Sequence, residues 1–280
     1  MKLVRYGKQG LERAGLIDSQ GTIRDLSGFI PDVTPAHLGA ASLQQLAQLS
    51  AEELPPVPSA VRLGACVANV GKFVCVGLNY LDHVRESGAT VPSEPILFTK
   101  ATSCITGPSD GIVIPVGASM VDWEVELGVI IGARAKNVLP QDALDYVAGY
   151  CVVNDVSERG WQLQGTGQWV KGKSADTFGP VGPWLVTRDE IDDPQNLDLW
   201  LSVNGNMRQS SSTAQMIFPV RELVSYISNY MTLFPGDIIA TGTPPGVALG
   251  AKPPVYLKPG DFVRLGIAGL GEQAQAVTAA

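Results

Sequence analysis

The chain has 280 residues, 45% of them hydrophobic and 17% charged, with a formal net charge of -7 at neutral pH. Those proportions exclude a disordered chain, and an acidic balance without a Lys/Arg cluster excludes a nucleic-acid surface. No apolar run reaches the roughly 18 residues of a membrane span and the opening MKLVRYGKQG carries no secretory signal, so a cytoplasmic protein with no membrane partner is expected.

The 31 glycines and 20 prolines fall between short β-branched runs such as VCVG, GIVIPVG, GVIIG and DIIATGTPPG, the pattern of many short strands joined by tight turns. In chain order, KLVRYG, RAGLID and TIRDLSGF predict strands. TPAHLGAASLQQLAQLS predicts a helix, with Thr34 as its cap and Pro35 at its first position. The proline-rich AEELPPVPSAVRLG marks a boundary between a small N-terminal α+β domain, residues 1–65, and a β-rich mixed α/β domain, residues 66–280. In the second part, NYLDHVRESG predicts a short helix closed by Gly88. DWEVELGVIIG predicts a strand, and AGYCVVNDVS an apolar strand ending in Asp155. DLWLSVNG and NMRQ predict a hairpin turning at Asn204-Gly205. PVRELVSYISNYMTL is the clearest helix, with Leu223, Val224, Ile227 and Tyr230 on one face, and KPGDFVRLGIAGLGEQAQAV returns to turn and strand. The four cysteines (Cys66, Cys75, Cys104, Cys151) are irregularly spaced and, with two histidines in the chain, make no zinc pattern; they read as buried free thiols.

Residues 167–174, GQWVKGKS, spell the phosphate loop G-x-x-x-x-G-K-[ST]. That loop works by joining a buried strand to a helix whose N-terminal amides converge on phosphate. Here the preceding SERGWQLQGT is polar, the following ADTFGPVGPW is too rich in Pro and Gly to open a long helix, and the interior is bulky. Lys173 is therefore expected to serve other chemistry. Upstream, Glu124 and Glu126 lie two apart in an alternating strand, so both carboxylates share a face opposite Trp123, Val125, Leu127 and Val129. Such a pair needs a cation, a shared proton or bulk water, and an isolated E-x-E also suits a solvated strand face. With Asp155 ending a second apolar strand and no cluster of softer ligands, a hard ion is indicated, Mg²⁺ first and Mn²⁺ or Ca²⁺ next. In NYLDHVRESG, helical spacing puts Glu86 one turn from His83, where it can orient the imidazole as a general base; a surface His–Glu pair has the same spacing.

Together CVGLNYLDHVRESG, PILFTKATSCITGP, DWEVELGVIIG, NDVSERGWQ, GKSADTFGPVGPWLVT, VNGNMRQ and PGDIIATGTPPG resemble, in order, the fumarylacetoacetate hydrolase family, from about residue 73 to the C-terminus. The resemblance implies a mixed β-roll catalytic core, an Mg²⁺ site and a homodimer. It assigns Glu124, Glu126 and Asp155 as metal ligands and His83 with Glu86 as a water-activating dyad on a lid. It further assigns Lys173 as the stabiliser of a reacting oxyanion, and Arg159, Gln162 and Thr243 as contacts to a small-molecule 2-oxo acid. A further N-terminal acidic ligand, present in the larger eukaryotic hydrolases, has no clear counterpart. The implied activity is acylpyruvase-type hydrolysis of a carbon–carbon bond in a 2,4-diketo acid, releasing pyruvate. MKLVRYG and GLIDSQGTIRDLS look like bacterial members acting on 2,4-diketo-3-deoxy sugar acids, such as those from L-fuconate or L-rhamnonate. The alternatives are an isomerase or decarboxylase of 2-oxo dicarboxylates in aromatic catabolism, and a metal-binding structural protein without turnover.

Overall fold

The computed structural model describes residues 1–88 and 90–280. The apolar runs assemble into a long, mostly antiparallel sheet. Its strands lie in the order Ile23–Asp25, Arg13–Ile17, Lys2–Tyr6, Gly179–Thr187, Val147–Asn154, Val125–Ile131, Ile238–Ala240, Phe73–Gly77 and Ile96–Lys100. At its centre every residue of Val125–Ile131 and of Val147–Asn154 is buried. These strands are covered on both faces, which is why they read as continuous Val/Ile/Leu runs. The solvated-face alternative for the E-x-E segment is thereby removed.

The N-terminal strands are continuous with this sheet. Lys2 and Leu3 pair with Val186 and Leu185, and Leu3 and Leu185 belong to one buried apolar cluster. The sheet thus runs across the boundary expected near residue 65. A second sheet orders Asn206–Ser212, Asp198–Val203, Phe262–Ile267, Gly271–Ala279 and Ile112–Ile114. Its first hairpin turns at Asn204 and Gly205, both at positive φ (52° and 77°), the conformation that Asn-Gly adopts in two-residue turns.

Two local expectations need correcting. The helix expected from Thr34 onward is split into a single 3₁₀ turn at Pro35–His37 and a helix at Ala40–Leu46. Gly39 between them is extended, and the Thr34 side chain caps nothing. In the helix Val220–Tyr230, Leu223, Val224 and Ile227 are buried as expected, but Tyr230 is 64% exposed. Its ring instead packs against that of Tyr226, tilted by 56° at a centroid distance of 4.9 Å, along the outer side of the last turn. All four cysteines are buried and free. Among the described residues no helix is long and apolar enough to cross a membrane.

Candidate active site

Strand pairing brings the carboxylates together. The segment expected as one strand breaks at Trp123-Glu124: Val121–Asp122 pairs with Ser157–Glu158, and Val125–Ile131 pairs with Val147–Asn154, with Asn154 opposite Val125. At this break the Glu124 N–H donates to Asn154 Oδ1 (3.2 Å), and the Asp155 N–H donates to the Glu124 carbonyl (2.9 Å). The neighbouring strand ends thus deliver Glu124, Glu126 and Asp155 to one point, with a ligand oxygen from each within 4.8 Å of the others and all three side chains buried.

Cations surround this cluster. Lys173 Nζ donates to Glu124 Oε2 and Asp155 Oδ2, both at 2.7 Å. Lys100 Nζ donates to Asp155 Oδ1 (2.5 Å) and to the Val156 carbonyl (3.0 Å). Arg159 donates to Glu124 Oε1 (2.6 Å), Asp122 Oδ2 (2.8 Å) and Gln162 Oε1 (2.9 Å). Burial works against the charge on Glu124, but Lys173 and Arg159 outweigh it and hold the carboxyl at about 2. Burial also opposes the Lys173 ammonium, and Asp155 and Glu124 overcome it, raising Lys173 above its ordinary range.

Glu126 is different. Its carboxylate accepts the Gly242 N–H (2.8 Å), and among the described residues it has no ion-pair partner. Burial first, then the like charges of Asp155 and Glu124, push it well above the usual carboxylate range. A buried acid without a counter-charge, beside two others, is the local imbalance that a divalent cation corrects. Three hard oxygen donors match Mg²⁺ or Mn²⁺ in kind. The residues present therefore fit such an ion.

Glu124 and Glu126 form the floor of a cavity of about 200 Å³, lined also by His83, Arg159, Gln162, Lys173 and Thr243. Larger clefts of about 460 and 310 Å³ lie beside the N-terminal strands. Neither holds a carboxylate triad, so chemistry rather than size selects the smaller one. At its mouth stands the helix Leu81–Ser87, closed by Gly88 at φ 65°. His83 Nδ1 lies 3.3 Å from Glu86 Oε2, and the same carboxylate accepts the Gly246 N–H at 3.2 Å. One acid therefore orients the imidazole and fastens the helix to the neighbouring loop.

The family profile described as fumarylacetoacetate (FAA) hydrolase, C-terminal, matches residues 72–278. The chain belongs to the fumarylacetoacetate hydrolase family. A Burkholderia multivorans protein whose name specifies only a hydrolase is 59% identical over the whole of both chains. Among solved structures, the fumarylacetoacetate hydrolase of Exiguobacterium antarcticum is 36% identical with a TM-score of 0.89, each chain covering the other completely. The maleylpyruvate hydrolase of Sphingobium sp. SYK-6, solved with manganese(II) and pyruvate, is 30% identical with a TM-score of 0.83, over 100% of this chain and 99% of that one.

Within this fumarylacetoacetate hydrolase-type site, all nine residues singled out from the sequence have places. Glu124, Glu126, His83, Arg159, Gln162, Lys173 and Thr243 line the cavity; Asp155 lies behind them at full burial, and Glu86 reaches in through His83. The letters of a phosphate loop resolve into one helical turn, Val170–Lys173, whose last residue faces carboxylates. Gly172 permits this: a Cβ there would collide with the Glu158 carbonyl and Gln162, so a larger residue would lift Lys173 off its partners. Thr243 is less available than expected. Its hydroxyl donates to the Val125 carbonyl (2.9 Å) and accepts from Gln209 (2.8 Å), tying down the backbone between Glu124 and Glu126.

Two further residues of the site carry no signal in the sequence. Lys100 ends an ordinary strand, and Asp122 precedes the glutamates without a visible partner. Asp122 is fully buried and accepts from Arg159, from the Ala248 N–H (2.7 Å) and from the Leu249 N–H (3.0 Å). Substituting Asp122→Ala leaves Arg159 and two loop amides without their acceptor, and is expected to lower unfolding free energy by about 3 to 5 kcal/mol. Urea denaturation measures this, and a change near zero would contradict the role described.

Proposed function

We propose that this protein is a divalent-metal-dependent hydrolase that cleaves a carbon–carbon bond of a 2,4-diketo acid and releases pyruvate. The observation that carries the reading is the convergence on one cavity of an oxygen-donor triad, a buried ammonium and an imidazole–carboxylate pair. The pyruvate and manganese(II) named for the Sphingobium relative support it.

Glu124, Glu126 and Asp155 would hold the ion, which when bound supplies Lewis-acid polarisation and a seat for the 2-oxo carboxylate. The chain's own residues do the rest. His83, oriented by Glu86, takes a proton from water as the oxygen attacks the distal keto carbon. Lys173 sets a fixed positive charge beside the oxygen on which negative charge develops. As the bond between the attacked carbon and the methylene breaks, the distal part leaves as a carboxylic acid, and the proton held by His83 goes to the methylene, which becomes the methyl of pyruvate. Arg159 and Gln162 form the wall against which the substrate carboxylate is positioned, and the helix carrying His83 keeps bulk water out.

Pure protein incubated with acetylpyruvate and with 2,4-diketo-3-deoxy-L-fuconate, with pyruvate followed enzymatically, tests this. Pyruvate should appear, disappear with EDTA and return when Mg²⁺ or Mn²⁺ is added in excess. Tautomerisation of the diketo acid without pyruvate would replace the hydrolase reading by an isomerase. Turnover unaffected by EDTA would remove the metal.

A further inference from the structure

We propose that the substrate of this site is a monocarboxylate whose acyl end is short and apolar, rather than one carrying a second carboxylate; this rests on the hydrolase reading above. The cavity joins a charged floor to apolar walls and an apolar rim. At the bottom Glu126 and Lys173 are each 2% exposed, whereas Leu163 and Leu249 at the mouth are 47% and 39% exposed. Phe98, Trp169 and Val247 line it as well. Trp169 meets Phe98 edge-on at 5.2 Å, and its ring lies so close over Gly77 that a Cβ there would come within 2.5 Å of it. The part of a diketo acid that lies beyond the reacting carbonyl therefore meets aliphatic and aromatic carbon.

A second carboxylate would need a cation at that end. Among the described residues lining the cavity the basic groups are Arg159, Lys173 and His83. Arg159 and Lys173 are buried beside the triad, bonded to Asp122, Glu124 and Asp155, where they serve the 2-oxo end of the substrate, and His83 is paired with Glu86. Lys171, two residues before Lys173, points to the Thr166 hydroxyl (3.3 Å) and does not line the cavity. A distal carboxylate held by a short acyl chain against Phe98, Trp169 and Val247, short of the open mouth, would thus lose water without gaining a partner, while a methyl or short alkyl group would lose nothing. The volume adds a length limit: about 200 Å³ lies below the roughly 300 Å³ at which sites for drug-sized ligands begin. The two solved relatives are named for fumarylacetoacetate and maleylpyruvate, both dicarboxylates, so the inference separates this chain from them.

Titration calorimetry of the full chain with saturating Mg²⁺ tests this without requiring turnover, using 2-oxohexanoate and 2-oxoadipate, which share a chain length and differ in the distal group. The methyl-ended acid should bind at least about tenfold more tightly. Leu163→Arg, at an exposed position, should narrow or reverse that ratio by supplying the missing counter-charge, and Leu249→Arg serves if the first variant folds poorly. Equal or tighter binding of 2-oxoadipate by the unaltered protein overturns the inference and leaves the hydrolase reading intact. Binding of neither acid to protein that does take up Mg²⁺ overturns both.

Discussion

Replacing Lys173 with methionine is expected to lower kcat for diketo-acid cleavage by about 100- to 1,000-fold, the usual loss when a positioned charge is removed from a developing oxyanion. The protein should still take up Mg²⁺. Lys173 bridges Glu124 and Asp155, and removing its charge leaves those oxygens more attractive to a divalent ion. Its loss also strips two buried carboxylates of a partner, so the metal-free variant should unfold more readily and regain stability when Mg²⁺ is added. Stopped-flow or coupled kinetics with calorimetric metal titration separate these effects. A methionine variant with undiminished kcat would show that the ammonium only balances charge in the resting protein.

His83→Ala should be at least as damaging, by about 100- to 10,000-fold in kcat, the range for loss of a positioned general base. Its metal affinity should be unchanged, because the imidazole stands at the cavity mouth and its recorded partner is Glu86, not the triad. Glu86→Gln should lower kcat by less than His83→Ala does, because the imidazole itself remains. The amide oxygen can still accept the Gly246 N–H, so the helix stays fastened, but the neutral side chain no longer stabilises a protonated imidazole. A His83→Ala protein that lost Mg²⁺ binding would place the histidine in the metal centre and contradict the assignment.

How far these assignments were legible in the sequence depends on the range of the interaction. The E-x-E spacing, the His-x-x-Glu turn and the Asn204-Gly205 hairpin are local patterns; the turn and the hairpin place their residues through backbone geometry alone, whereas Glu124 also needs its pairing with Asn154 and Asp155. The break at Trp123-Glu124 was not legible, because only pairing with Ser157–Glu158 and Val147–Asn154 reveals it. The partners of Lys100 and Asp122 come from strands and loops far along the chain, so neither residue carries a signal in its own neighbourhood. Thr34 and Pro35 promised a helix start, yet a two-residue excursion through Leu38 and extended Gly39 separates the turn from the helix. Tyr230 had the right period and the wrong position: the core and the Lys136-Asn137 segment cover the Ile227-Ser228 side of the last turn, and the Tyr230 ring lies outside that cover.

The docking of Lys2–Tyr6 along Gly179–Thr187 has a consequence for anyone wishing to shorten this protein. Cut back to the stretch that carries every assigned catalytic group, the chain would bare one flank of its largest sheet, with Leu185 and Val186 beside a row of unsatisfied amides and carbonyls. Such a flank invites another copy to add its own strand, and aggregation follows. The leading segment, which contributes no reactive atom, acts as the sheet's stopper, and a minimal enzyme trimmed to its chemistry would lack one.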